Sequence, residues 1–156
     1  MKNILITGGA GFIGSRLCEK LFDLGYSITV LDNLSTQIHG NIESALYNRI
    51  KKKCIFIKGD VRNLDDWKQA IKGQEIIVHL AAETGTGQSM YESKKYNDVN
   101  VMGTSYMFDV LSSFKHNVQK IIVASSRAVY GEGKYFCSVH NEVYPTKRNE
   151  LDLDSG

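Results

Sequence analysis

The chain has 156 residues, enough for one domain with a substantial core. Nineteen Lys and Arg against 17 Asp and Glu leave a formal charge of +2, with the signs interspersed, so the composition calls for neither nucleic acid nor a membrane surface as partner. No apolar run approaches the roughly 20 residues of a membrane-spanning helix, glycines break the N-terminal apolar stretch before it could serve as a secretory leader, and three cysteines, an odd number, fit a reducing cytoplasm.

The first element in chain order is a strand over 2–7, followed by Thr7-Gly-Gly-Ala-Gly-Phe-Ile-Gly14 and a helix over 11–24 whose apolar residues recur as Leu17, Leu21 and Leu24, with Gly25 as its stop. A strand running through a glycine turn into a helix places a dinucleotide pyrophosphate on the helix N-terminus. Gly8 suits the tight turn, Gly11 lets the backbone approach a phosphate, and Gly14 lets the helix pack closely on the strand. Phe12 and Ile13 complete this candidate cofactor-binding turn. The plain alternative is an ordinary strand–turn–helix without a ligand.

The next strand, 27–31, ends in Asp32-Asn33, with Asp32 18 residues beyond Gly14. A carboxylate at that distance accepts from the adenosine ribose hydroxyls and repels a 2′-phosphate. No Arg follows closely, so the pattern favours NAD over NADP; otherwise Asp32 merely starts a turn. A polar helix near 42–51, a strand at 54–58, a helix at 64–71, a strand at 75–80, a long helix over 89–114 and a strand at 120–124 follow. This alternation predicts an α/β fold, a doubly wound parallel sheet covered on both faces. Cys18, on an apolar helix face, and Cys54, in a strand, read as core thiols. After Ser126 the periodicity ends. Residues 1–130 are expected to form the dinucleotide-binding domain and 131–156 a loop or disordered tail.

Six segments stand in order across about residues 2–131: the glycine turn, Asp32-Asn33, Gly59-Asp60-Val61-Arg62, His79-Leu-Ala-Ala82, Asn100-Val-Met-Gly-Thr104 and Ser125-Ser-Arg-Ala-Val-Tyr-Gly131. Together they resemble the extended short-chain dehydrogenase/reductase family, the NAD-dependent nucleotide-sugar epimerases and dehydratases with a Rossmann-type fold. The resemblance implies that Asp60 and Val61 flank the adenine, Asp60 accepting from its exocyclic amine. Leu80, Ala81 and Ala82 would line the ribose and pyrophosphate, Asn100 would order the site beneath the nicotinamide, and Ser126 would be the catalytic hydroxyl. His79, inside an apolar strand, reads as a satisfied core histidine. The family also uses a Tyr and a Lys four residues apart on a helix after the serine, the phenolate acting as general base.

Three Tyr-x-x-x-Lys matches occur. Tyr47…Lys51 and Tyr91…Lys95 precede the serine, and Tyr130…Lys134 spans two glycines. The expected pair and the substrate lobe would therefore lie past Gly156. On this reading the chain is the N-terminal NAD-binding part of a cytoplasmic nucleotide-sugar epimerase or dehydratase, truncated and inactive alone. A nucleotide-diphosphate sugar would be the partner of the full-length parent, and a homodimer could form through helix 89–114. The alternative is a non-catalytic dinucleotide-binding module, a redox sensor or scaffold. Two further segments, 82–92 and 124–135, are similar to family members acting on dTDP-deoxyhexoses. Cys137-x-x-His140 is then either half of a zinc site or, as preferred, an incidental pair, and no metal site is assigned.

Overall fold

The computed structural model describes residues 2–40 and 44–145. The start of the expected polar helix and the end of the expected tail lie outside the described residues. The chain divides into two compact units, Met1–Ala124 and Ser125–Gly156.

The first unit is a five-stranded parallel sheet in the order β3-β2-β1-β4-β5. Its strands are β1 (Asn3–Thr7), β2 (Ser27–Asp32), β3 (Ile55–Lys58), β4 (Ile76–His79) and β5 (Lys120–Val123), all five within a residue or two of the expected positions. The helices are α1 (Phe12–Asp23), α2 (Thr36–His39), α3 (Ala45–Ile50), α4 (Leu64–Ala70), α5 (Thr86–Tyr91), α6 (Ser93–Tyr96) and α7 (Gly103–Ser113). Side chains alternate across a strand, so β1 serves two cores. Leu5 joins Leu31, Ile77, Trp67, Met107 and Val110 on the face covered by α4 and α7. Ile4 and Ile6 join Ile28, Val30, Val78, Cys18 and Ile50 on the face covered by α1 and α3. Both faces are thus buried, as continuous Ile/Val/Leu strands require, and the fold is a Rossmann-type doubly wound sheet. Cys18 is a core thiol, its pKa pushed up to about 12 by burial; Cys54 is half-buried, pushed up to about 11 for the same reason.

The strand order reverses between β1 and β4. In an open α/β sheet the crevice outside the carboxyl ends of the strands at such a reversal is where ligands bind.

The expected single helix over 89–114 is replaced by a broken run. Glu92, at φ −116° and ψ 38°, separates α5 from α6. A wide π-helical turn, Asn97–Met102, then joins α6 to α7. Apolar spacing cannot register a one-residue widening, which moves side chains around the axis without removing any.

The second unit was expected to lack regular structure beyond Gly131. Instead β6 (Tyr135–Cys137) and β7 (Asn141–Val143) pair antiparallel, Tyr135 opposite Val143. Three residues per strand are too few to show a period, and Asn141 takes the turn conformation at φ +61°. No helix among the described residues is long and apolar enough to cross a membrane.

Candidate functional site

The glycine turn leaves β1 at the strand reversal. Gly8 takes φ +67°, its N–H donates to the Leu31 carbonyl at 2.9 Å, and Gly11 N–H donates back to Gly8 O at 3.1 Å. A side chain at Gly14 would put its Cβ 2.6 Å from Gly9 Cα, so glycine there is what lets α1 start against the turn. No side chain caps α1 at Gly11, which leaves its first N–H groups and the positive end of its dipole facing the crevice. Phe12 and Ile13 in that first turn are 73% and 67% exposed, an apolar pair beside the uncapped helix end.

Asp32 closes β2 with its carboxylate turned onto this turn. Oδ2 accepts from Ala10 N–H at 3.0 Å and Oδ1 from Leu34 N–H at 2.9 Å. Two of a carboxylate's four lone-pair directions remain. His39 lies against it, Nε2 3.8 Å from Oδ1, while its Nδ1 meets Ser44 Oγ at 2.6 Å. Asn33 reaches across to Asp60, donating from Nδ2 to Oδ2 at 3.0 Å.

Asp60 is held more tightly than its motif suggests. Arg62 donates its backbone N–H and Nε–H to Oδ1, both at 2.9 Å, and Nη2–H to Oδ2 at 2.8 Å. With Asn33, all four lone-pair directions are taken. These bonds, Arg62's first among them, hold the carboxyl at about 2. To accept from an adenine amine Asp60 must release a donor, and the neutral Asn33 amide is the weakest held. Val61, beside it, is buried, its carbonyl accepting from Trp67 Nε1–H at 2.8 Å.

Leu80, Ala81 and Ala82 follow β4 on the other wall of the crevice. Leu80 N–H donates to Thr7 O at 3.1 Å, and Ala81 N–H donates to Thr7 Oγ1 at 3.2 Å. Asn100, on the π-helical turn, braces the same loop twice: Oδ1 accepts from Glu83 N–H at 2.8 Å and Nδ2 donates to Glu83 O at 3.0 Å. The widened turn is therefore where Asn100 meets the loop, an instance of a π turn placed at a candidate site.

His79 ties these parts together. Thr104 Oγ1 donates to Asn100 O at 2.7 Å, so it accepts from His79 Nε2–H at 3.1 Å. Nδ1 is then free to accept from Thr7 Oγ1–H at 2.7 Å. The imidazole is neutral with its proton on Nε2, and burial pushes its pKa down to about 4. An unfolded histidine takes a proton near pH 6.5. Between there and pH 4 the unfolded chain binds a proton that the native chain refuses, so stability falls on acidification through that window, by up to about 3 kcal/mol. Urea midpoints at pH 7 and pH 4.5 test this: the native sequence should lose much more than His79→Gln, and equal losses would reject the assignment. The Asp60 contribution is lost only lower, as pH falls from its unfolded value of 3.8 to about 2.

The structure thus brings the turn glycines, Phe12, Ile13, Asp32, Asn33, Asp60, Val61, Leu80, Ala81, Ala82 and Asn100 to the carboxyl end of one sheet or the segments packed beside it. Ser126 belongs to the second unit. It is exposed and caps the short 3₁₀ turn Arg127–Tyr130, its Oγ accepting from Ala128 N–H at 3.1 Å. Of the Tyr-x-x-x-Lys matches, Tyr91 and Lys95 fall on different helices, and Tyr130 and Lys134 are separated by Gly131 and Gly133 at φ +67° and +84°. Cys137 Sγ lies 3.4 Å from His140 Nδ1, and no group of three metal-ligating side chains occurs among the described residues. The sequence reading missed Arg62 as Asp60's clamp, although the spacing Asp-x-Arg was visible. It also missed Thr7 and Thr104 as partners of His79, His39 against Asp32, and the contact of Gln37 with Gln88, none of which has a local signal.

Comparison with known proteins agrees with the fold. The dTDP-L-rhamnose 4-epimerase of Burkholderia thailandensis is 40% identical over 156 residues, 99% of this chain and 42% of that protein. A putative UDP-glucose 4-epimerase of Methanocaldococcus jannaschii is 40% identical over 134 residues, covering 85% of this chain and 41% of its own. Among solved structures, the UDP-glucose-4-epimerase from Stenotrophomonas maltophila with bound NAD and formylated UDP-arabinopyranose superposes with a TM-score of 0.72 at 27% identity, over 84% of this chain and 39% of that one. The UDP-glucose 4-epimerase of Thermotoga maritima with UDP-glucose gives 0.69 at 30% identity, over 84% and 40%. The chain spans about two fifths of the length of the curated relatives it matches. With residues 4–150 matching the family model, the chain belongs to the NAD dependent epimerase/dehydratase family.

Proposed function

We propose that the chain binds NAD across the carboxyl ends of β2, β1 and β4, and that in the whole protein it is the cofactor-binding part of a nucleotide-sugar 4-epimerase acting on a dTDP- or UDP-linked hexose. The observation that carries the cofactor reading is Asp32, a carboxylate with two unfilled acceptor directions next to the uncapped N-terminus of α1. A relative that aligns over almost the whole chain is a dTDP-L-rhamnose 4-epimerase, and this supports the sugar class.

On this reading NAD supplies the acceptor and donor for oxidation and re-reduction of a sugar carbon. The chain's residues bind and orient. Gly8, Gly11 and Gly14 leave room for the pyrophosphate at the α1 N-terminus, with Phe12 and Ile13 shielding it from water. Asp32 accepts from the adenosine ribose hydroxyls and excludes a 2′-phosphate. Asn33, Asp60 and Val61 face the adenine, while Leu80, Ala81 and Ala82 present a small surface to the ribose next to the nicotinamide, on a loop that Asn100 holds. Ser126 Oγ keeps its own proton to donate to a sugar oxygen. The general base is a tyrosine outside residues 1–156, and α7 pairs with a second copy.

Calorimetry with NAD and NADP tests the cofactor reading; NAD should bind at least tenfold more tightly, and equal affinity would reject the role of Asp32. Incubation of the 156-residue chain with dTDP- and UDP-hexoses and NAD is expected to yield no epimerised sugar, because general-base catalysis alone contributes about 10²–10⁴-fold. Robust turnover would show that Tyr130 or another residue here is the base.

A further inference from the structure

We propose that Gln37 and Gln88 form a latch across the cofactor crevice, and that it must open for NAD to enter or leave. The inference rests on the NAD reading above.

In the sheet β1 lies between β2 and β4, which puts those two strands about 10 Å apart at two inter-strand spacings. The glycine turn emerges between them. Gln37 is on α2, in the segment after β2, and Gln88 is on α5, in the segment after β4. Their amides pair reciprocally over this gap. Gln37 Nε2–H donates to Gln88 Oε1 at 2.7 Å, and Gln88 Nε2–H donates to Gln37 Oε1 at 3.3 Å. β2, the amide pair, β4 and β1 therefore make a closed ring around the turn where the pyrophosphate is proposed to bind.

The two sides of the ring are fastened differently. On the β4 side Lys95 Nζ is paired with Glu83 at 3.1 Å and Glu92 at 3.5 Å. Gln88 Nε2 also donates to Glu92 Oε2 at 3.0 Å, and Tyr96 Oη–H donates to Thr84 O at 2.8 Å. On the β2 side the ring is caught by Gln37, whose Oε1 also accepts from Lys95 Nζ–H at 2.9 Å. Gln37 is thus the catch and the β4 side the fixed post.

A dinucleotide lying across the ring has its pyrophosphate inside and a base at each end, one toward β3 and one toward β5. With Gln37 and Gln88 paired, the gap between the β2 and β4 sides is bridged, and a dinucleotide entering from solvent has to part that bridge to reach the turn. The ring must break at Gln37, where the two amide bonds to Gln88 and the bond from Lys95 Nζ lie at the surface and exchange with water. The latch therefore acts on rates: opening precedes both entry and exit, so loosening it speeds both while changing the affinity little.

The test follows NADH fluorescence in stopped flow, with NADH displaced by excess NAD. Gln37→Ala should raise the association and dissociation rates together, about three- to tenfold, with Kd within about twofold and the melting temperature unchanged. The opposite perturbation joins the two positions. In a Cys137→Ser background, Gln37→Cys/Gln88→Cys is linked by a short bis-maleimide, because facing glutamines span more than a disulfide bridges. The linked form should exchange NADH at least tenfold more slowly than the same variant capped with a mono-maleimide. Equal exchange rates for the linked and capped forms would overturn the latch. A fall in affinity through dissociation alone in Gln37→Ala would overturn it too, making Gln37 a direct ligand instead. Absence of any NADH signal with the native chain would overturn the cofactor reading and the latch with it, a result distinct from unchanged rates.

Discussion

Replacing Gly8 by Ala should destabilise the first unit by about 3–5 kcal/mol, a large share of the 5–15 kcal/mol that holds a domain folded. Two effects add. At φ +67° an L-residue is in the left-handed region, which costs about 1–2 kcal/mol. The new Cβ also falls 2.7 Å from Ala81 N, 2.8 Å from Ala81 Cα and 2.9 Å from Leu80 C. All three are backbone atoms, and the Leu80 N–H bond to Thr7 O holds that backbone in place. The turn after β1 must then move away from the loop after β4, the two walls of the proposed cofactor crevice. Gly25 provides the control. It has φ +81° but nothing within 4 Å of an added Cβ, so Gly25→Ala should cost only the conformational part, about 1–2 kcal/mol. Urea unfolding of both variants separates the clash from the dihedral. Equal losses would show that the close approach of Gly8 to Ala81 carries no energy.

Asp32→Ala should erase the distinction between NAD and NADP, lowering NAD affinity by about 10–100-fold and leaving NADP much less affected. Hydrogen bonds to a charged acceptor are worth about 1.5–3 kcal/mol each, and NAD loses them. NADP, which the carboxylate is proposed to repel, would gain relief from a like charge. The substitution also removes the acceptor of Ala10 N–H and Leu34 N–H, so the turn itself loosens. Asp32→Asn separates the two roles, because its amide oxygen can still accept one of these bonds without the charge. Calorimetry on folded protein, checked by urea unfolding, gives both affinities. An unchanged NAD to NADP ratio in Asp32→Ala would remove Asp32 from cofactor selection.

The sheet was legible because its signal is local. β1 to β5 are short Ile/Val/Leu runs, and continuous apolar strands separated by helices have few ways to bury both faces. The glycine turn was legible for the same reason: Gly8, Gly11 and Gly14 are fixed by the local geometry of a strand meeting a helix. The break in the expected 89–114 helix was not legible. Glu92 is a good helix former, and its contacts with Gln88 and Lys95 are ones an unbroken helix would also make, so nothing local marks the break. The hairpin Tyr135–Cys137/Asn141–Val143 was missed because strands of three residues show no alternation.

The sequence by itself determined the α/β class, the five sheet strands and the residue types offered along the carboxyl edge of the sheet, because propensity, periodicity and glycine spacing act over a few neighbouring residues. Only the tertiary structure decided how those residues are engaged. Asp60 is saturated by Arg62 and Asn33, His79 is a neutral link from Thr7 to Thr104, and Gln37 meets Gln88 across 51 positions of chain. Arg62 is two residues from Asp60, but the other partners are 25 to 72 positions apart and are set by which strands lie side by side, the reversal of strand order between β1 and β4 bringing the segments after β2 and β4 to face each other.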